Sequence, residues 1–139
     1  MSEKGNLIFF KYRHLIFAII IIIIVIILDI ILENYTKKIV KDINTKLELI
    51  ENKLEESNID TVKVVNISDE LIDYINKKEK IINCYIEHED VELISVKLNV
   101  LNTQIKIKNY KEAKSTATEI KGLVKFLNNK HELNLRNLF

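Results

Sequence analysis

The residues best suited to chemistry form one acidic run around a histidine, EHEDVE at residues 87–92. His88 and Glu92 are four positions apart and would share one face of a helix, a spacing that suits two metal ligands. A single histidine with carboxylates is an incomplete site, and acidic residues at a helix start also complement the helix dipole. We therefore predict no bound metal or cofactor, with Glu87, His88 and Glu92 as the candidate ligands if one binds.

Asp29 is a second candidate for chemistry, because it interrupts an apolar run. If Leu15 begins the hydrocarbon core of a membrane, Asp29 lies roughly 21 Å along a core about 30 Å thick. A carboxylate at the bilayer centre costs on the order of 3 kcal/mol, and less near the interface. Asp29 therefore either reaches outward to headgroups and water or pairs with a basic or polar group of a membrane partner.

The remaining composition argues against several classes of function. Cys84 is the only cysteine, so it either packs as a small residue or forms a disulfide with another molecule. No Ser/His/Asp set, phosphate-binding loop or pair of catalytic acids is present, so we predict no enzymatic activity. The formal charge is +1, and residues 30–139 carry as many acidic as basic side chains, which argues against nucleic-acid binding.

The segment that dominates the chain is the apolar run of residues 15–32, LIFAIIIIIIVIILDIIL. As a helix it would be about 27 Å long, close to the thickness of the hydrocarbon core of a bilayer. Tyr12 and Tyr35 flank it roughly 35 Å apart, so both rings could lie at headgroup level. No Ala-x-Ala-like pattern follows the run, which favours an uncleaved anchor over a signal peptide.

Basic residues near the two ends of this run are too evenly divided for the positive-inside rule to decide the orientation. They are Lys4, Lys11 and Arg13 before the run and Lys37, Lys38, Lys41 and Lys46 after it. Long C-terminal domains translocate largely regardless of charge. We therefore predict a cytoplasmic tail at residues 1–14, a transmembrane helix at residues 15–32 in the cell membrane, and an extracytoplasmic helical domain at residues 33–139.

Long helices are expected beyond the membrane segment, because the chain has no proline and only two glycines. Residues 36–57 follow a heptad pattern for about two heptads, which is short for a free-standing coiled coil. Its apolar positions are Val40, Ile43, Leu47, Ile50 and Leu54. They indicate either one helix of a small bundle or a seam between two copies of the chain in a homodimer. With Asp29, they are the candidate partner-binding residues.

Two more helices are predicted on either side of the acidic run. Capping-type side chains at residues 57–61 predict a break, and the apolar spacing that follows predicts a helix over residues 60–86. A third helix is predicted over residues 91–105. It carries a 3-4-3-4 apolar stripe and further apolar residues at Leu93, Val96 and Val100. The extra residues predict that this helix is the most buried of the set.

A fourth helix is predicted from a capping-box-like start at Asn109 and Glu112, with apolar residues at helical spacing as far as Leu127. Four apolar stripes with short joins favour antiparallel neighbours. The sequence therefore predicts an all-α fold, in which one N-terminal transmembrane helix is followed by a small up-and-down bundle of about four helices.

Three segments, YIEHEDVE at residues 85–92, NYKEA at 109–113 and LNLRNL at 133–138, resemble the family described as domain of unknown function 4363. That family consists of small bacterial proteins, mostly from Gram-positive anaerobes and spore formers. The resemblance implies one N-terminal membrane helix and an outer helical domain, and it brings no established activity.

We therefore expect a membrane-anchored, non-enzymatic accessory protein that touches the lipid bilayer and binds another membrane protein. The alternative is a sensor-like extracytoplasmic bundle that binds a small ligand or metal near Glu87, His88 and Glu92.

Overall fold

A computed structural model describes the backbone of residues 3–84 and 86–136 and the side chains of residues 12–84 and 86–127. In these residues the chain forms helices and no strand, which confirms the predicted all-α class. The helices are α1 (Glu3–Leu54), α2 (Thr61–Ile82), α3 (His88–Lys106) and α4 (Tyr110–Arg136).

The chain divides between Asn34 and Tyr35 into two compact units, and α1 contributes residues to both. In the first unit, the large apolar side chains from Leu15 to Ile31 are all exposed, by 39% to 60%. This stretch is long and apolar enough to cross a membrane, with a mean hydropathy of 3.7 in its most apolar window. None of that window is buried within the chain, so it is not the core helix of a globule.

The second unit is an up-and-down bundle in which each helix lies antiparallel to the next. Side-chain contacts identify the neighbouring helices. They also show that neighbours are antiparallel, because residues late in one helix contact residues early in the next. One contact for each neighbouring pair is Lys46–Glu70 for α1 and α2, Asp69–Asn102 for α2 and α3, Lys97–Glu119 for α3 and α4, and Glu51–Lys121 for α4 and α1. The four helices therefore form a closed ring around one core.

The core is built from one apolar stripe per helix, as the 3-4 spacing predicts. In α1 the stripe consists of the five heptad residues Val40, Ile43, Leu47, Ile50 and Leu54, each no more than 8% exposed. The stripes of the other helices are Val64, Leu71, Ile75 and Ile82 in α2; Val91, Ile94, Leu98, Leu101 and Ile105 in α3; and Ala113, Ala117, Ile120, Val124 and Leu127 in α4. Ala113 and Ala117 are fully buried where α4 packs into the ring.

Helix ends are fixed largely by the side chains that the sequence offers. Asp60 caps α2 by accepting a hydrogen bond from the Lys63 amide at 3.1 Å, close to the predicted break. Asn109 precedes α4 and accepts a longer contact from the Glu112 amide at 3.5 Å. The prediction that the second helix reaches residue 86 is wrong, because α2 ends at Ile82 and a turn follows. Tyr85, which the prediction placed on its apolar face, lies outside the described residues.

The join between α3 and α4 is a Schellman motif closed by a lysine. Lys108 has φ 59°, in the left-handed region that favours glycine. Its amide donates to the Ile105 carbonyl at 3.0 Å, and the Asn109 amide donates to the Gln104 carbonyl at 2.9 Å. These two bonds satisfy carbonyls at the end of α3, but the backbone of Lys108 carries the steric cost of a Cβ in this conformation.

Candidate interaction surfaces

Asp29 is the one acidic residue of the apolar stretch, and its side chain is exposed on α1. It lies fourteen positions after Leu15, or about 21 Å along a helix. The flanking Tyr12 is exposed in the first unit. Large apolar side chains therefore surround this carboxylate along the helix.

Tyr35, at the start of the second unit, joins a polar cluster between α1 and α2. The Lys78 ammonium donates to the Tyr35 hydroxyl at 2.6 Å and lies 5.3 Å from the centroid of the tyrosine ring. Two turns later in α1 and one turn earlier in α2, the Tyr74 hydroxyl donates to the Asp42 carboxylate at 2.8 Å. Burial raises the pKa of Tyr74 to about 12, and the hydrogen bond to Asp42 and its negative charge add to the shift.

A second polar cluster joins α1 to α4 around Glu51. This carboxylate accepts hydrogen bonds from the Thr118 hydroxyl at 2.8 Å and from the Lys121 ammonium at 2.7 Å. The bond to Glu51 raises the pKa of Lys121 above its ordinary value. Nearby, the hydrogen bond from Lys114 lowers the pKa of Glu55. These contacts hold the register of the two helices.

The acidic run around His88 lies where α3 begins. His88 Nδ1 is 3.2 Å from the Asn83 side-chain nitrogen, so this ring is directed toward the turn that follows α2. Glu89 and Asp90 stand in the first turn of α3, where negative charge complements the helix dipole. Across the residues that the structure describes, no group of three or more His, Cys, Asp or Glu side chains could hold a metal ion.

The five heptad residues predicted as partner-binding candidates lie in the chain's own core. Beside them is a cavity of about 20 Å³, lined by apolar side chains from all four helices and by Thr36. The Thr36 hydroxyl is buried and has no hydrogen-bond partner among the described residues. The cavity has room for about one water molecule, which would find a single polar group, so it is not a metabolite site.

The prediction that α3 is the most buried helix is wrong, because only one of its two apolar stripes faces the core. We call the outer stripe Leu93, Val96 and Val100 of α3 together with Ile107, the residue that follows the helix, and these side chains are 42% to 66% exposed. They lie between the edge of α3 that contacts α2 through Lys106 and the edge that contacts α4 through Lys97. The signal was present in the sequence, since these residues repeat the 3-4 spacing on a different face from the core stripe.

Comparison with known protein families identifies a family for this chain. The family model described as "Domain of unknown function (DUF4363)" matches residues 30–138, which is most of the chain and includes the whole bundle. No curated protein and no solved structure matches.

Proposed function

This chain belongs to the family described as domain of unknown function 4363. We propose that the chain is a single-pass membrane protein without enzymatic activity, and that it serves as an accessory subunit that binds another membrane protein. Residues 15–32 cross the cell membrane of a Gram-positive bacterium, residues 1–14 remain in the cytoplasm, and the helical bundle lies outside.

The observation that carries this proposal is the exposure of the apolar stretch, in which no residue of the most apolar window is buried. A soluble chain would bury the seventeen apolar side chains of residues 15–32 in its core. Here no residue of the most apolar window of α1 is buried, and the bundle has a separate core. Burying such a helix among acyl chains removes its apolar surface from water and keeps its backbone hydrogen bonds internal. The orientation follows from the length of the bundle, since long domains translocate largely regardless of charge.

The position of Asp29 supports a contact with a partner protein within the membrane. Ionisable residues within a membrane span usually face another protein or a water-filled cavity rather than lipid. The heptad residues of α1 are occupied by α2, α3 and α4, so they could meet a partner only if the bundle opened. The contact therefore involves Asp29 and the outer surface of the bundle.

Native copurification tests this proposal. The full chain is extracted from its own membranes in mild detergent after light crosslinking, and its complexes are separated by size. We expect a stable complex with a second membrane protein that is weakened at least tenfold by Asp29→Leu and retained by the control Asp29→Glu, which keeps the charge. If wild type and both variants migrate alone after crosslinking, the accessory role is wrong.

A further inference from the structure

The outer stripe of α3 is an apolar surface that the bundle leaves uncovered. Its members Leu93, Val96, Val100 and Ile107 repeat at spacings of three, four and seven residues, and Thr103 fills the remaining heptad position. The Thr103 hydroxyl already donates to the Asn99 carbonyl at 2.9 Å, so a partner could cover it without orphaning the donor. The stripe therefore has the a and d pattern of a two-stranded helical seam over two heptads.

We propose that the occupant of this seam is the outer stripe of a second copy of the chain, aligned in the same direction. With Leu93, Val100 and Ile107 at a positions and Val96 and Thr103 at d positions, Glu92 stands at g and Lys97 at the following e. In a parallel pair, each g residue meets the next e residue of the other helix. Glu92 of each copy then faces Lys97 of the other, and the pair is self-complementary.

The charged residues Glu92 and Lys97 flank the outer stripe, which is where the edge of an interface would lie. Glu92 is exposed on α3, and the Lys97 ammonium lies 2.7 Å from the Glu119 carboxylate of α4. The Lys97 side chain stays partly exposed in that contact, so a second carboxylate can reach it. Asn99 and Gln104 occupy the other g and e pair, so no like charges oppose one another along this part of the seam.

The direction of the pairing rests on the proposed membrane anchor. Charge alone also allows an antiparallel pair, in which Glu92 would face Lys106 of the other copy. Two chains anchored in one membrane are related by a two-fold axis along the membrane normal, and both enter their bundles at Tyr35. With that axis along the seam, the two α3 helices run in the same direction, and this is the arrangement that we propose. Confinement to one bilayer also raises the effective concentration, which favours a seam of only two heptads.

Disulfide crosslinking of the full chain in native membranes tests the seam. Cys84→Ser removes the only native cysteine, and Leu93→Cys then places a thiol at an a position. Leu49→Cys is the matched control, because both leucines are similarly exposed, by 42% and 43%, and Leu49 lies on α1. We expect mild oxidation to give a homodimer at Leu93→Cys with at least tenfold higher yield than at Leu49→Cys.

An antiparallel pair would separate the two Leu93 positions by about 18 Å and give no homodimer, so this variant also tests direction. Adding Glu92→Lys, which sets two lysines opposite each other, is expected to reduce the crosslinked yield several-fold. Lys125→Glu, a charge reversal outside the stripe, should leave it unchanged.

The inference is overturned if Leu93→Cys stays monomeric, crosslinks no better than Leu49→Cys, or joins a different protein. Its failure is separable from that of the proposed function, because the same membranes are scored for retention of the chain after an alkaline wash. If the chain is retained but stays monomeric at Leu93→Cys, only the proposed homodimer is wrong. If the chain is released but still forms the homodimer, only the proposed membrane anchor is wrong.

Discussion

Replacing Leu47 by alanine tests whether the heptad residues of α1 belong to the chain's own core. Leu47 is fully buried, and Leu49, two residues further along the same helix, is 43% exposed. The two leucines therefore allow the same chemical change to be made inside and outside the bundle. Leu49→Ala controls for the change in helix propensity, which is the same at both positions.

The expected difference between these variants is large. A buried leucine replaced by alanine loses its transfer free energy and leaves a cavity, which together cost about 2–5 kcal/mol. The bundle has roughly a hundred residues, and domains of that size have a free energy of unfolding of about 5–15 kcal/mol. Leu47→Ala should therefore remove a large part of the total. Leu49→Ala should change it by less than about 1 kcal/mol, because the side chain is already half in water.

Urea unfolding of the full chain in mild detergent measures both variants, with circular dichroism as the signal. The transition midpoint should fall markedly for Leu47→Ala and by at most a small amount for Leu49→Ala. An equal loss for both variants would refute the burial of Leu47 in the core.

Three further outcomes follow from the structure. Lys108→Gly should stabilise the bundle by about 1 kcal/mol in urea unfolding, because it removes a Cβ from a left-handed backbone; a loss of stability would contradict the Schellman assignment. Gly122→Ala should stabilise α4 by about 0.5–1 kcal/mol in the same assay, since an added Cβ meets no atom within 4 Å, and a destabilised variant would show that this face is covered. Ultraviolet titration should find one tyrosine with a pKa of about 12, which disappears in Tyr74→Phe. Because the neutral phenol is favoured in the folded state, that tyrosine should make the stability fall as the pH rises from 10 to 12, and a flat profile would contradict its burial.

Local features of the fold could be predicted from the sequence because they depend on neighbouring residues. The 3-4 spacing places Leu47 and Ile50 on one face of a helix, and the absence of proline allows that helix to be long. Asp60 and Asn109 mark helix starts because their short polar side chains reach the amides of the first turn. The burial of these stripes within one chain depended on four helices closing into a ring, which the α1 sequence alone could not determine.

Features that depend on long-range register could not be predicted in the same way. The two stripes of α3 have the same type of spacing, and only the positions of α2 and α4 decide that Leu98 is buried and Val100 is exposed. The same holds for the bond from Lys121 to Glu51, which joins residues far apart in sequence. The direction of the His88 side chain also depends on how α3 is placed relative to α2. In the structure the His88 ring is directed toward Asn83.

The central claim is that residues 15–32 hold the chain in a lipid bilayer, and alkaline extraction of broken cells measures it most directly. The full-length, unclipped chain should stay in the membrane pellet and dissolve only with detergent. A variant with lysine at Ile22 and Ile26, each costing about 3 kcal/mol in the bilayer, should move to the aqueous fraction. Recovery of the full-length wild-type chain in the aqueous fraction without detergent would contradict the claim.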